Sequence, residues 1–226
     1  MHNSHSLPTK NSVSRRRFLG YAGAASGLVL LATSCNKDDD NMMNPTDGID
    51  LGSGDVGILN YAYALEQLEA AFYTQVAMTP FSGITPGETA LLTDIRDHEI
   101  AHREFFKNAL GNAAIPALEV NFSSINFSDR NSVLGTAKAF EDLGVSAYNG
   151  AGKLIKSPDY LVLAGKIVSV EARHAAYIRD LISNGSFADS TVIDGNGLDK
   201  SRMPMEVLQV ASPFLKSKIN ASNLPK

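Results

Sequence analysis

The chain has 226 residues, of which 44% are hydrophobic and 19% are charged, and its formal net charge is −4. This size and composition predict one globular domain with a leader rather than two domains. The acidic balance and the lack of any Lys/Arg stripe with interleaved aromatic residues argue against a nucleic-acid partner. A single cysteine excludes both an intrachain disulfide and a cysteine-based metal site.

Residues 1–34 are predicted to be a signal peptide. Lys10 and three consecutive arginines at positions 15–17 precede an apolar stretch over 18–32, which is too short to span a bilayer comfortably. The segment 14–19 resembles a twin-arginine export signal, and the alternative is the basic part of an ordinary secretory signal. Both alternatives predict that the chain is exported.

Cys35 comes directly after the apolar stretch. Residues 31–35, Leu-Ala-Thr-Ser-Cys, resemble a lipobox, in which the cysteine is acylated and becomes the first mature residue; the alternative is an incidental cysteine at the end of a cleaved signal. The acidic run that follows resembles a tag that sends some bacterial lipoproteins to the outer face of the outer membrane. We therefore expect an outer-membrane lipoprotein, with exposure at the cell surface left open. Residues 35–54 are rich in Asp, Asn and Gly and are predicted to form a flexible tether.

Four long segments with helical periodicity follow the tether. They run over about 55–78, 85–110, 129–156 and 157–183. Thr85-Pro86-Gly87-Glu88 predicts a capping box with proline in the first turn, and Ser157-Pro158 predicts a cap followed by proline. Each segment corresponds to about 37 Å of helix.

The connections between these segments predict their arrangement. The first and third are short, which favours antiparallel neighbours, whereas residues 112–128 form a longer link with Pro116 and no helical period. When extended, this link can reach more than about 40 Å. The sequence therefore predicts an all-α four-helix bundle over 55–185, with a long crossover between helices two and three, and this arrangement resembles ferritin-like bundles.

Residues 186–226 are predicted to be a C-terminal extension. Asp194-Gly195-Asn196-Gly197 is a turn cluster, and residues 204–215 could form a short amphipathic helix that folds back on the bundle. We assign no chemistry to this extension.

Two Glu-x-x-His pairs lie in the predicted helices two and four. Residues three apart on a helix share a face, so Glu99 and His102 project in one direction, and Glu171 and His174 do the same. A carboxylate and an imidazole on one helical face are typical of a metal site in a bundle core.

Helices one and three each carry a glutamate with a tyrosine two turns later. Glu66 is followed by Tyr73 and Glu141 by Tyr148, so each tyrosine shares a face with its glutamate. The repetition predicts two helical hairpins related by a pseudo-twofold axis. One Glu from each of two helices plus Glu-x-x-His from each of the other two is the ligand set of ferritin-like di-iron and di-manganese proteins.

Segments 59–73 and 140–148 resemble the ferritin-like domain family that includes the desiccation-related proteins. The resemblance covers about residues 55–183 and implies a bundle with a binuclear site. The pattern implies these candidate metal ligands: Glu66, Glu99, His102, Glu141, Glu171 and His174.

In this pattern, Glu99 and Glu171 would bridge two ions, while each histidine and one further glutamate would complete a single ion. Glu66 and His102 would complete the first ion, and Glu141 and His174 would complete the second. Four carboxylates balance two divalent cations, and the mixed oxygen and nitrogen donors suit iron or manganese, although zinc could also bind.

Neighbouring residues have open roles. Glu69 could be an alternative ligand, but we favour a place behind the ligands or on the surface. Tyr73, Tyr148 and Tyr177 could hydrogen-bond ligand carboxylates or simply pack in the core. His98 is predicted to lie on the surface, because each residue of a helix is rotated by about 100° from the last.

The leading functional prediction is a redox protein that binds two iron or manganese ions and reacts with O₂ or peroxide, as an oxidase, a peroxidase or a stress-protection protein. The alternative is a surface-anchored interaction or structural module with a vestigial or structural metal site. Iron storage is less favoured, because a lipid-anchored chain with a long extension is poorly suited to a closed shell. The sequence leaves a homo-oligomer open.

Overall fold

The computed structural model describes residues 47–226, so the leader, Cys35 and most of the tether lie outside the described residues. The long helices are α1 Gly54–Met78, α2 Pro86–Leu110, α3 Arg130–Gly152 and α4 Pro158–Ile182, followed by the short α5 Pro204–Ala211. Two 3-10 turns span Gly111–Ala113 and Ser212–Phe214, and two strands span Ile49–Asp50 (β1) and Ile219–Asn220 (β2). Between residues 47 and 226, no helix is both long and apolar enough to cross a membrane.

The helix starts follow from their local sequences. Thr85 accepts a hydrogen bond from the backbone N–H of Glu88, and the Glu88 carboxylate accepts one from the backbone N–H of Thr85. This is the predicted capping box, with Pro86 in the first turn. Asp129 and Ser157 accept backbone N–H groups at the starts of α3 and α4. These caps fix the residue at which each of α2, α3 and α4 begins.

Contacts at the two ends of the bundle define its topology. The Asp55 carboxylate accepts the backbone N–H of Ser157 at 2.9 Å, which places the start of α1 beside the start of α4. Arg130 at the start of α3 donates to Glu88 at the start of α2 (2.7 Å) and to the carbonyl of Leu181 at the end of α4 (3.1 Å). Since α2 and α3 start at the same end, the link between them must travel the length of the bundle.

The crossover from α2 to α3 is held along α1. The Asn60 side chain accepts the backbone N–H of Ile115 and donates to the carbonyl of Ala113, both at 2.9 Å. Two turns further, the Gln67 side chain accepts the backbone N–H of Leu118 at 2.8 Å. The rings of Phe122 and Phe127 in the crossover then pack against the ring of Phe72 on α1. The predicted all-α bundle with a long second connection is confirmed.

Residues 47–54 differ from the predicted tether over 35–54. Ile49 and Asp50 pair in parallel with β2, and Leu51 is fully buried. We call the pairing of β1 with β2 the terminal ladder. Within this polar stretch, the backbone N–H groups of the apolar residues Ile49 and Leu51 donate to the carbonyls of Lys218 and Asn220, about 170 positions later in the chain. The flexible-tether prediction is therefore wrong for residues 49–54.

The C-terminal extension is tied to the hairpin of α3 and α4 by a buried arginine. Arg179 on α4 is 1% exposed, and its guanidinium donates to Asp142 on α3 at 2.8 Å. It also donates to Asp189 at 2.7 Å and to the carbonyl of Ser186 at 3.2 Å. A buried guanidinium with several charged and carbonyl acceptors fixes the path of the chain after α4.

The extension also approaches α3 closely at Gly150. A Cβ atom there would lie 1.8 Å from the carbonyl oxygen of Arg202, so only glycine permits this contact. The following helix, α5, buries Val207 and Ala211 completely. The extension thus packs on the bundle through α5.

Candidate metal centre

Six side chains from the four long helices converge in the middle of the bundle. The structure brings together every residue that the ligand pattern implied: Glu66 from α1, Glu99 and His102 from α2, Glu141 from α3, and Glu171 and His174 from α4. The four carboxylates are fully buried, and the two imidazoles are 14% and 6% exposed. Such a concentration of buried charge needs compensation.

These six residues form two overlapping groups, within each of which the ligand atoms lie within 4.8 Å of one another. The first group consists of Glu66, Glu99, His102 and Glu171. The second group consists of Glu99, Glu141, Glu171 and His174. Glu99 and Glu171 belong to both groups, as the implied ligand pattern requires of the two shared carboxylates. Each group contains one histidine.

The distances between donor atoms match those between ligands of one ion. His102 Nδ1 lies 3.0 Å from Glu171 Oε1, and His174 Nδ1 lies 2.9 Å from Glu99 Oε1. His102 Nδ1 also lies 3.4 Å from Glu66 Oε2 and 3.7 Å from Glu99 Oε2, and His174 Nδ1 lies 3.4 Å from Glu141 Oε2. Ligand atoms held about 2.1 Å from one ion, at angles between those of octahedral and tetrahedral sites, are about 3.0–3.4 Å apart.

Eight polar atoms of the six side chains are buried and have no hydrogen-bond partner among the described residues. They are Glu66 Oε2, both oxygens of Glu99 and of Glu171, Glu141 Oε2, and Nδ1 of His102 and of His174. A buried polar atom without a partner costs about 1–3 kcal/mol, and a charged one costs more. Although these atoms are close, they point towards shared positions instead of forming hydrogen bonds. The donor set fits a bound transition metal.

Two tyrosines hold the outer glutamates in place. Tyr73 on α1 donates its hydroxyl hydrogen bond to Glu141 Oε1 on α3 at 2.5 Å, and Tyr148 on α3 donates to Glu66 Oε1 on α1. Each hairpin thus supplies a tyrosine to the glutamate of the other, as a pseudo-twofold axis requires. Because Oε1 is used in this way, Oε2 of both glutamates stays directed at the centre.

Tyr177 does not take part in the site. It is 53% exposed, so the prediction that it contacts a ligand carboxylate or packs in the core is wrong. The buried stripe of α4 continues from His174 to Ile178, which is fully buried, and this turns the neighbouring Tyr177 outward.

Glu69 lies one turn after Glu66 and is 4% exposed, which rules out the surface alternative. It belongs to neither ligand group. Within residues 47–226, its carboxylate has neither a hydrogen-bond donor nor an ion-pair partner, and its strongest interaction with another side chain is repulsion by Glu171. It is a fifth buried carboxylate beside the centre.

His98 is exposed, as predicted, but it also contacts a candidate ligand. Its ring stacks on that of His174, with centroids 5.2 Å apart and an angle of 6° between the planes. His98 Nδ1 lies 3.0 Å from His174 Nε2, so the two rings can share one hydrogen bond. The sequence could not reveal this contact, because it depends on how α2 and α4 pack.

Burial controls the ionisation of the centre. It raises the pKa of Glu66 to about 7, opposed by His102 and aided by the charge of Glu99. Burial is also the main reason for the raised pKa values of three further carboxyls, those of Glu69, Glu141 and Glu171. Burial acts the same way on Glu99, but the two imidazoles outweigh it and lower its pKa to about 2.

The pKa values of the two imidazoles are also raised, although burial acts on them in the opposite sense. Burial disfavours their charge, but contacts with Glu171, Glu66 and Glu99 raise the pKa of His102 to about 12. Contacts with glutamates likewise raise the pKa of His174 to about 10, against its burial. Without a metal, the centre therefore balances its carboxylates with bound protons.

A four-helix bundle with one long crossover and a central set of four carboxylates and two imidazoles defines a ferritin-like protein. The sequence profile described as a ferritin-like domain matches residues 54–184, which include all four long helices. The chain belongs to the ferritin-like domain family. A search of curated proteins found no match.

Proposed function

We propose that the bundle binds two iron or manganese ions between its four long helices. The observation that carries this proposal is the set of eight buried, unpaired donor atoms on six converging side chains. Four carboxylates neutralise two divalent cations. The two imidazoles favour a transition metal, because calcium and magnesium prefer oxygen ligands. Zinc can occupy the same donor set.

The chemistry follows from the type of ion. Iron or manganese, when bound, supplies electron transfer to O₂ or peroxide, and we propose that this reaction protects the cell against oxidative stress. Tyr73 and Tyr148 orient the outer glutamates, and the surrounding apolar helices exclude water. The chain itself therefore supplies position, charge balance and shielding.

The place of action comes from the N-terminal sequence. The twin-arginine-like signal and the lipobox at Cys35 support an exported domain held to the outer membrane by lipid. An oxidant-reactive centre outside the cytoplasm would meet external O₂ or peroxide first.

Metal analysis tests the proposal. Full-length protein, made with its own export signal and purified without chelators, should contain about two transition ions per chain and show visible absorption when iron-loaded. Exposure to peroxide should change that absorption. Less than about one ion per chain after reconstitution with Fe²⁺ or Mn²⁺ would favour the interaction module with a vestigial site.

A further inference from the structure

A fifth buried carboxylate remains when the six ligands have been assigned. Glu69 projects from α1 one turn beyond Glu66 and is 4% exposed. Tyr148 and Tyr73 hydrogen-bond Glu66 and Glu141, but no donor serves Glu69 within residues 47–226. Burying a carboxylate without a donor is costly unless a cation compensates its charge.

Gly144 on α3 leaves the space that Glu69 uses. A Cβ atom at position 144 would lie 3.2 Å from Glu69 Oε1 and 3.5 Å from Glu171 Oε2. Both oxygens therefore lie beside the backbone of Gly144. Glu69 and Gly144 border a gap of about 10 Å³, whose other walls are apolar: Leu65, Leu68, Phe140 and Leu143.

The charge of Glu69 affects the metal pair. The four ligand carboxylates already balance two divalent ions. Bound cations also favour the ionised form of Glu69, which then adds a negative charge to a centre that is neutral without it. Buried charges are screened little by solvent or salt, so they interact strongly over several ångströms. A negative charge stabilises the oxidised form of a metal pair more than the reduced form, because the oxidised form is more positive.

We propose that Glu69 sets the reduction potential of the metal pair, and that its carboxylate in the gap at Gly144 lowers this potential by favouring the oxidised ions. This inference rests on the proposed function. Glu69 acts through its charge, while the six ligands hold the ions. The role explains why an unpaired carboxylate and a glycine face each other beside the centre.

The test is a redox titration of iron-loaded, full-length protein, followed by visible absorption. Glu69→Gln keeps the shape of the side chain and removes its charge, so the midpoint should move to higher potential. At the midpoint of the parent protein, the ratio of reduced to oxidised ions should rise about tenfold or more. The matched control, Glu119→Gln, removes an exposed carboxylate and should leave the midpoint unchanged.

Gly144→Ala supplies a second variant that keeps the charge but crowds Glu69 Oε1. It should alter the midpoint in the parent background and leave it unchanged in the Glu69→Gln background, because coupled residues are not additive. Equal shifts in both backgrounds would overturn the role of the gap.

Metal content, measured on the same samples, separates the two proposals. Two ions per chain in both proteins with identical midpoints would overturn the role of Glu69 alone. A parent protein that takes up no metal would overturn the proposed function, and the inference with it.

Discussion

The two histidines of the centre are not equivalent. Both direct Nδ1 at the carboxylates, but Nε2 of His174 faces His98, whereas within residues 47–226 Nε2 of His102 has no side-chain partner. A partner on the far nitrogen of a metal-binding imidazole fixes its orientation and its tautomer. The ion beside His174 should therefore be held more tightly than the ion beside His102.

Removing the imidazoles tests this difference. His102→Ala and His174→Ala should each weaken metal binding at least about tenfold, while His98→Ala should weaken only the ion beside His174, by about tenfold. The measurement is a stepwise Mn²⁺ titration of the metal-free protein by calorimetry. Asp97→Asn alters the neighbouring exposed residue and serves as the control. Unchanged binding of both ions in His98→Ala would contradict the asymmetry.

The tyrosines offer a second prediction at this scale. Tyr73→Phe and Tyr148→Phe each remove a hydrogen bond to a buried carboxylate oxygen, so each should reduce the free energy of unfolding by about 1–3 kcal/mol. Tyr177→Phe removes the same atom from an exposed ring and should change it by less than about 0.5 kcal/mol. Urea unfolding of the metal-free proteins measures all three. Equal losses of unfolding free energy in all three variants would contradict the assignment of the hydrogen bonds to Tyr73 and Tyr148.

At the scale of elements, one of the two side-chain amides on α1 that hold the crossover makes several hydrogen bonds at once. The buried Asn60 side chain serves three backbone groups, the carbonyls of Leu51 and Ala113 and the N–H of Ile115. It thus joins α1 to both the segment before it and the crossover.

Removing the Asn60 side-chain amide should destabilise the fold strongly. Asn60→Ala leaves three backbone groups unpaired and should lower the free energy of unfolding by about 3 kcal/mol or more. Asn108→Ala, which removes one hydrogen bond on an exposed helical surface, should cost less than about 0.5 kcal/mol. Urea unfolding again gives the comparison. If the two variants were equally stable, the crossover would not depend on Asn60.

The elements also show how far sequence alone could go. The capping box at Thr85 and the Glu-x-x-His spacing are local patterns, so helix positions and the convergence of six side chains could be predicted. The terminal ladder, the stacking of His98 on His174 and the close approach at Gly150 each join distant parts of the chain. No local pattern encodes such contacts, because each depends on how distant segments of the chain pack together.

For the whole molecule, the shifted ionisations predict how stability depends on pH. Carboxyls with raised pKa values bind more protons when folded than when unfolded, so stability falls as pH rises above about 4.5. For Glu66 alone, a pKa of about 7 instead of 4.5 corresponds to about 3 kcal/mol by pH 8. The raised pKa values of both histidines act in the same direction above about pH 6.5.

The metal-free protein should therefore be more stable at pH 5 than at pH 8. Adding Fe²⁺ or Mn²⁺ should reverse this trend, because the ions bind the deprotonated ligands of the folded state only. Melting curves at both pH values, with and without metal, provide the measurement. A Glu66→Gln, Glu171→Gln variant should show a weaker pH dependence and little metal effect. The same pH dependence in variant and parent would show that the two carboxyls do not cause it.

Membrane attachment yields a separate prediction, because it depends on a residue outside the described part of the chain. Cys35→Ser removes the acylation site and should move the protein from the membrane fraction to the soluble exported fraction. Its circular dichroism and melting temperature should stay unchanged, since the described domain begins well after this residue. Retention in the membrane fraction would remove the lipobox interpretation.

The terminal ladder has a mechanical consequence. A pull transmitted from an anchor at Cys35 would reach the domain through residues 47–51, where β1 pairs with β2 and Asp47 contacts Lys218 at 2.9 Å. The first bonds under load are therefore those between β1 and β2, and Glu66 lies several helical turns further on. Short strands and an exposed ion pair yield at little energetic cost and re-form readily. Under load, the terminal ladder can therefore open before the force reaches the helices around the candidate metal centre.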